Sequence, residues 1–352
     1  MLTSGLLSFN NFNSLRKIMR KLASIQRIAE IKAIPDADKI CAYRINGWWV
    51  VGQVNAHKED ELVVYIEPDS WVPTEHAPFL SKGKEPREYL GIKGEKLRTI
   101  RLKKQISQGL ILPLDNALSV LYEEGDDCTD YFGIVKWEPE PEYRSADAKG
   151  NFPSFFPKTD QERIQNCHKD MTEAFQKYTW EVTEKVEGQS SSVYYFNGEV
   201  GVCSRNLDLK NNENTFWTTA EQYSLPEKLT SLGRNLVIQS EQCGPSISGN
   251  IYGFMSYHLY VFDIYDIDKG QYLIPVERMK LIEQLGLQAV PTISKRQVLE
   301  DKTCDKLLEY ADGESQLGNI TVLREGLVFK ANTTGERISF KAVSNEYLLK
   351  MK

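Results

Sequence analysis

Lys185 stands in "VTEKVEGQSSSVYYFNGEVGVCSRNLDL" (182–209), two residues before Glu187 and three before Gly188, with "SRN" following at 204–206. An amine attacks only when it is unprotonated. A lysine with an ordinary pKa of about 10.4 is almost entirely ammonium at neutral pH. A lysine that attacks phosphorus therefore needs partial burial, neighbouring cations or a bound metal to shed its proton. The spacing K-x-E-G suggests such a lysine, used as a nucleophile on a nucleotide. A lysine beside acids on a strand is equally the pattern of a solvated surface pair, so the decision rests on what accompanies it along the chain.

The company is "SRNLDL" (204–209), "IQSEQCGPSISGNIYG" (238–253), "YVFDIYD" (260–266), "REGLVFK" (324–330) and "ISFKAVSNEYLLK" (338–350). With "KVEG" (185–188), these stretches resemble, in order, motifs I, Ia, III, IIIa, IV and V of the covalent nucleotidyltransferases, the superfamily of polynucleotide ligases and messenger-RNA capping enzymes. The flanking "FPKTDQERIQN" (156–166) and terminal "SNEYLLK" resemble the Deinococcus/Naegleria-type ATP-dependent RNA ligases. The resemblance covers nearly the whole chain after the leader. It implies transfer of AMP from ATP to Lys185, then to a 5′-phosphate end, and sealing by a 3′-hydroxyl, a reaction of RNA repair. It also implies Mg2+ or Mn2+ as cofactor and a 3′-hydroxyl RNA strand, in a nicked duplex, as partner.

The same resemblance distributes roles. Lys330 and Lys341 contact the phosphates and depress the pKa of Lys185. Glu187, Arg205, Glu241, Phe262 and Arg163 bind the nucleotide, Phe262 by stacking on adenine. Arg205 lies near the sugar and the acceptor end, where Asn206, Asp208 and Asn211 could line the pocket. Glu241 and Glu325 hold metal through water, since magnesium keeps several waters and takes few carboxylates directly. Strict alternation along "YVFDIYD" puts Tyr260 and Ile264 on the face of Phe262 and turns Asp263 away, into a structural place. The chain departs from the family at motif V, where Ser339 occupies a usual lysine position; Arg337, on the same face, is the residue that could compensate.

These residues need elements to hold them. Residues 24–135 are rich in short strands, "YRINGWWVVGQV" and "ELVVYIEPDSWVP" above all, which predicts a small closed β barrel. "KWEPEPEYRSADAKGNFPS" (136–154) is acidic, proline-bearing and aperiodic, the composition of a linker. Beyond it strands and helices come in mixed order, predicting α+β architecture on antiparallel sheets. The domains expected are a leader (1–23), an OB-fold nucleic-acid-binding domain (24–135), a linker (136–152) and a nucleotidyltransferase domain (153–352). For the last, the resemblance implies an ATP-grasp-like, DNA-ligase-type fold of antiparallel sheets with flanking helices. Capping enzymes and most DNA ligases carry an OB domain after motif V; here the barrel precedes the catalytic region, which favours the RNA-ligase branch.

In the barrel, "KGEKLRTIRLKKQ" (93–105) carries six cations, Lys93, Lys96, Arg98, Arg101, Lys103 and Lys104, against one acid. With Trp48, Trp49 and Tyr89 nearby, that is a nucleic-acid-binding pattern, or else a solvated hairpin.

Composition sets outer bounds. The chain has 352 residues, 41% hydrophobic and 26% charged, with net charge −6, ordinary for a globular protein. No apolar run approaches the roughly 18 residues of a membrane span. Six scattered cysteines, with no C-x-x-C, argue against zinc and for a reducing, intracellular compartment, cytoplasm or nucleus. Residues 1–29 hold five cations and no acid, so mitochondrial targeting is one reading; a disordered leader, or a start at Met19, is the other. The remaining alternatives are a DNA or mixed-substrate ligase and, from another class, a non-catalytic nucleic-acid-binding protein. A monomer is expected.

Overall fold

The computed structural model describes residues 20–138, 145–334 and 337–350, so the candidate leader up to residue 19 and residues 139–144 of the linker lie outside it. The chain divides into two units, Met1–Glu138 and Pro139–Lys352.

The first unit is built from β1 (Ala23–Ala33), β2 (Ile40–Ile45), β3 (Trp48–Gln53), β4 (Leu62–Ile66), β5 (Ser70–Pro73), β6 (Arg87–Tyr89), β7 (Ile92–Lys96), β8 (Ile100–Leu102), β9 (Gln105–Ser107), β10 (Leu110–Pro113) and β11 (Val135–Lys136), with one short helix, α1 (Asn116–Leu121). One sheet runs β10-β4-β1-β2-β3 and another β11-β5-β7-β6. β1 serves both halves of its sheet: Ala23 to Arg27 pair with β4, and after a bulge between Ile28 and Glu30 the strand pairs with β2. Such a bulge bends a strand, which is how a sheet turns back toward closure. Alternation decides the two tryptophans. Trp48 is fully buried in the core with Tyr43, Ile45 and Tyr65, while Trp49 points outward, with the Arg44 guanidinium 4.8 Å from its ring centre. Trp48 is therefore core and not part of a binding face.

"KLRTIRLKKQIS" contains a hairpin, β8–β9, turned at Lys103 and Lys104, both with positive φ (47° and 68°). Arg98, Arg101, Lys103 and Lys104 are exposed. Lys93 pairs with Glu85 at 3.1 Å, and Lys96, half-buried, lies 3.5 Å from the Trp137 ring centre and 3.7 Å from Asp69. Lys93 stays exposed together with the hairpin and Arg98, and only Lys96 is drawn inward.

The second unit contains β12 (Ala148–Asn151), β13 (Trp180–Lys185), β14 (Gln189–Phe196), β15 (Glu199–Cys203), β16 (Leu207–Leu209), β17 (Leu236–Cys243), β18 (His258–Asp266), β19 (Gln271–Tyr272), β20 (Gln288–Ala289), β21 (Thr292–Gln297), β22 (Gly326–Ala331) and β23 (Ser339–Val343). Its helices are α2 (Ile164–Cys167), α3 (Thr172–Lys177), α4 (Thr215–Gln222), α5 (Leu225–Leu232), α6 (Pro275–Gln284), α7 (Cys304–Ala311) and α8 (Asn345–Lys350). The larger sheet runs β12-β16-β15-β14-β17-β18-β19, with β20 beside β18; the smaller runs β21-β13-β22-β23. The "NG" turn of β14–β15 has positive φ at Asn197 and Gly198, the signature of a two-residue hairpin.

The larger sheet packs apolar residues on both faces, and the smaller has one apolar and one polar face. On the larger, Val193, Ile238, Val261 and Ile264 pack against Phe216, Leu229, Leu281 and Ile282 from α4, α5 and α6. On the smaller, Trp180, Val182, Phe329 and Phe340 pack against Phe175, Cys304 and Leu308 from α3 and α7. The opposite face of the smaller sheet carries polar residues, while that of the larger packs Tyr194, Cys203 and Val237 against Phe155 and Phe156. Antiparallel sheets with flanking helices are what the sequence predicts. Among the described residues no helix is long and apolar enough to cross a membrane.

Candidate active site

The polar face of the smaller sheet is set by register. Glu181, Thr183 and Lys185 on β13 lie opposite Lys330, Val328 and Gly326 on β22, and β23 adds Ser339 opposite Lys330 and Lys341 opposite Val328. From the larger sheet, Glu241 on β17 lies between Ser190 and Tyr260.

Lys185 Nζ forms an ion pair with Glu325, the residue that precedes β22. Glu187 is held from two sides: its backbone N–H donates to Tyr252 Oη at 2.8 Å, and Tyr347 Oη of α8 donates to its carboxylate at 2.7 Å. Gly188 lets this turn approach β17. A Cβ there would sit 2.4 Å from the Gln242 carbonyl oxygen and 2.9 Å from Glu241 Cγ. Gly188→Ala is therefore expected to cost about 1–3 kcal/mol and to push the turn off Glu241. Thermal unfolding together with the rate of protein labelling by ATP checks both effects.

The electrostatics differ from expectation. Burial pulls the Lys185 amine down, but the carboxylates of Glu325, Glu241 and Glu187 outweigh it, and its pKa stands above the ordinary lysine value. The acids respond in kind. Burial and mutual repulsion push Glu241 up to about 8 and Glu325 to about 7, against the pull of Lys185. The neighbours of the nucleophile are thus acids, not the expected cations. Lys330 is the clearest correction. It is 7% exposed and turned to the larger sheet, donating to the Phe262 carbonyl at 2.6 Å and to Asp263 at 3.0 Å. A lysine tied down in that way is not placed to depress Lys185. Lys341 stays half-buried on the nucleophile's face.

Arg163, 7% exposed, precedes α2, and its backbone forms an isolated parallel β-bridge with Lys341, whose N–H donates to the Glu162 carbonyl. Arg205, exposed, pairs with Asp160 at 2.8 Å, and Lys158 donates to Asn206. Asp208 instead turns inward, accepting from Tyr194 Oη at 3.1 Å, so it does not line an open pocket.

Phe262 is the extra residue of a β-bulge. Gln239 pairs with Asp263 and Ser240 with Val261, leaving Phe262 without a partner. The bulge overturns simple alternation: Ile264 faces the apolar core, while Phe262 packs beside Tyr260 against Val186 and Tyr252. Asp263 turns to the face of Tyr260, where Lys330 and Arg337 meet it. At motif V, Ser339 sits beside Lys330, and Arg337 does not fill the gap at the phosphates; it pairs with Asp263 at 2.7 Å and lies 4.2 Å over Tyr272. Tyr252, Tyr347, Glu181 and Arg278 are site neighbours that the residue pattern did not assign, although two of them fall inside the quoted "GNIYG" and "SNEYLLK".

Among the described residues no group of three or more His, Cys, Asp or Glu is arranged to ligate a metal directly. Three carboxylates around one lysine leave an excess of negative charge, which suits a hydrated divalent ion held through water.

A cleft between two antiparallel sheets, with a lysine ringed by acids at one end and an aromatic wall beside it, is the arrangement of a nucleotidyl-transferring enzyme. A family model for RNA ligase matches residues 178–343, and one for an OB-fold domain matches residues 22–114. Among solved structures, the chain is similar to the RNA ligase of Naegleria gruberi with pyrophosphate. The identity is 40% over 94% of this chain and 98% of that one, with a TM-score of 0.86. It is equally similar to a mutant of that ligase with AMP and manganese, and to another with ATP and manganese at 39% identity, 93% and 98% coverage and a TM-score of 0.84. No curated protein matches. The chain belongs to the RNA ligase family, with an N-terminal OB fold.

Proposed function

We propose that this RNA ligase uses ATP and a divalent metal to seal 3′-hydroxyl and 5′-phosphate RNA ends through lysyl-AMP at Lys185. The observation that carries the reading is Lys185, ion-paired to Glu325 and flanked by Glu241 and Glu187. The complexes of the Naegleria ligase with ATP, AMP, pyrophosphate and manganese support it.

Before attack the Lys185 amine must leave Glu325 and lose a proton; its lone pair then forms the P–N bond as the bond from the α-phosphorus to the bridging oxygen breaks and pyrophosphate departs. A hydrated Mg2+ or Mn2+ held by Glu241 and Glu325 would neutralise the acids that keep Lys185 charged and stabilise charge on the α-phosphate. Tyr252 and Tyr347 hold Glu187, Phe262 stacks on adenine, Lys341 with Arg163 contacts phosphate, and Arg205 receives the acceptor end once it leaves Asp160.

The OB fold binds the RNA through Lys93, Arg98, Arg101, Lys103 and Lys104, leaving half-buried Lys96 to Trp137 and Asp69. The domain division at 24–135 and 153–352 separates substrate binding from chemistry, and the protein acts as a monomer. Six buried cysteine thiols support a reducing intracellular compartment. Reversing Arg98 and Arg101 to Glu is expected to weaken RNA binding and to lower the salt slope by about 0.7–0.9 for each phosphate that is no longer neutralised. An unchanged slope in titrations at several salt concentrations would remove these residues from the interface. The function itself is tested by incubating nicked RNA with ATP and Mg2+ or Mn2+. Sealed strand with release of AMP is expected; an enzyme that labels itself but never seals RNA would contradict it.

A further inference from the structure

Away from Lys185, the cleft holds a second group of charges that the nucleophile does not use. Asp263, 3% exposed, receives Lys330 at 3.0 Å and Arg337 at 2.7 Å, with Arg278 3.7 Å away. Arg278, on α6 and 4% exposed, also pairs with Glu181 of β13 at 2.5 Å. Five charged side chains from β13, β18, β22, α6 and the approach to β23 thus meet where the two sheets join. Ion pairs buried this deeply are poor sources of stability, because desolvation of each ion costs several kcal/mol and apolar side chains of like volume often do as well. Their use lies in fixing geometry. What they fix is visible in the second hydrogen bond of Lys330, to the carbonyl of Phe262. Phe262 is the bulged residue, the one whose backbone has no partner in the strand pairing.

We propose that the Asp263–Lys330 pair, braced by Arg278, Glu181 and Arg337, is a positioning device for the nucleotide base, holding the Phe262 ring at a fixed place relative to the sheet that carries Lys185. This rests on the reading of Phe262 as the adenine wall. Lys330 lies opposite Glu181, four residues along β13 from Lys185, roughly 13 Å at about 3.3 Å per residue. It touches no reacting atom. Stacking on the base is present in the bound ground state and in the transition state alike, so its loss raises KM for ATP and leaves the saturating rate.

The test is single-turnover self-labelling with α-labelled ATP, measured against ATP concentration, for the wild type, Lys330→Met and Lys330→Arg, with thermal unfolding alongside. Lys330→Met is expected to raise KM about tenfold, the worth of a lost aromatic stack, with the saturating rate within about threefold of wild type. Lys330→Arg, which keeps the charge, recovers most of the KM. A lowered saturating rate at unchanged KM overturns the proposal, since it would put Lys330 on the phosphates; an unchanged KM and rate overturns it too. If Lys330→Met does not fold, the charge-balanced Lys330→Met/Asp263→Asn chain takes its place, and a wild-type KM in that folded variant is equally contrary. Absence of label on the wild type would defeat the lysyl-AMP reading and is told apart by that control.

Discussion

Lys185→Met is expected to abolish covalent transfer of AMP from ATP, lowering self-labelling by roughly 10⁴-fold or more, the loss seen when the group that makes the covalent bond is removed. The fold should survive. Lys185 is 25% exposed and points from the polar face of the smaller sheet, so the methionine removes no apolar packing from the core of Trp180, Phe329 and Phe340. It does strand Glu325 without its partner, and the cost is limited because that carboxyl is already raised to about 7 and takes a proton readily. The final step needs no free amine at this position, so RNA carrying a preformed 5′-adenylyl group should still be sealed. Labelling and sealing measured on the same preparation separate the two activities. A mutant that still takes label would remove Lys185 from the chemistry, and one that loses both activities while folded would give the lysine a second role.

A nick whose 3′-hydroxyl strand ends in ribose should be sealed far faster than one ending in deoxyribose, by roughly 10⁴-fold in single-turnover rate. A site that hydrogen-bonds a hydroxyl leaves its own polar groups unpaired when the hydroxyl is missing, and the 2′-hydroxyl is what separates the two sugars at one position. The residues proposed to do this are Arg205 and Asn206, both exposed and held by Asp160 and Lys158. Asp208 is excluded by its bond to Tyr194. The sugar on the 5′-phosphate strand should matter less. Equal rates with both 3′ sugars would contradict ribose readout and favour a ligase of mixed substrate range.

Much of the site could be read from residue order, because its residues sit on regular strands whose alternation is simple. Glu181, Thr183 and Lys185 share a face by period two, and the Trp180–Val182 set takes the core for the same reason. Residue order misleads where the period breaks. The bulge at Phe262 reverses Asp263 and Ile264 relative to strict alternation, and nothing local marks it, since the stretch contains no glycine or proline. The Lys103–Lys104 turn is hidden for a similar reason: positive φ usually announces itself as Asn-Gly, and here two lysines adopt it. Lys330 is misplaced by its motif because a motif position gives a residue's strand and face but not its partner, and Asp263 lies 67 residues away in sequence. The expected fall in the Lys185 pKa fails for want of the same knowledge, since only the folded chain puts three carboxylates around it.

The most direct measurement is to incubate the intact protein with α-labelled ATP and Mn2+, digest it, and identify the residue that carries AMP. The account predicts one adenylylated residue, Lys185, with stoichiometric release of pyrophosphate, and discharge of the label onto 5′-phosphorylated RNA. AMP on any other residue, or no covalent AMP from a preparation that nonetheless seals RNA, would contradict it.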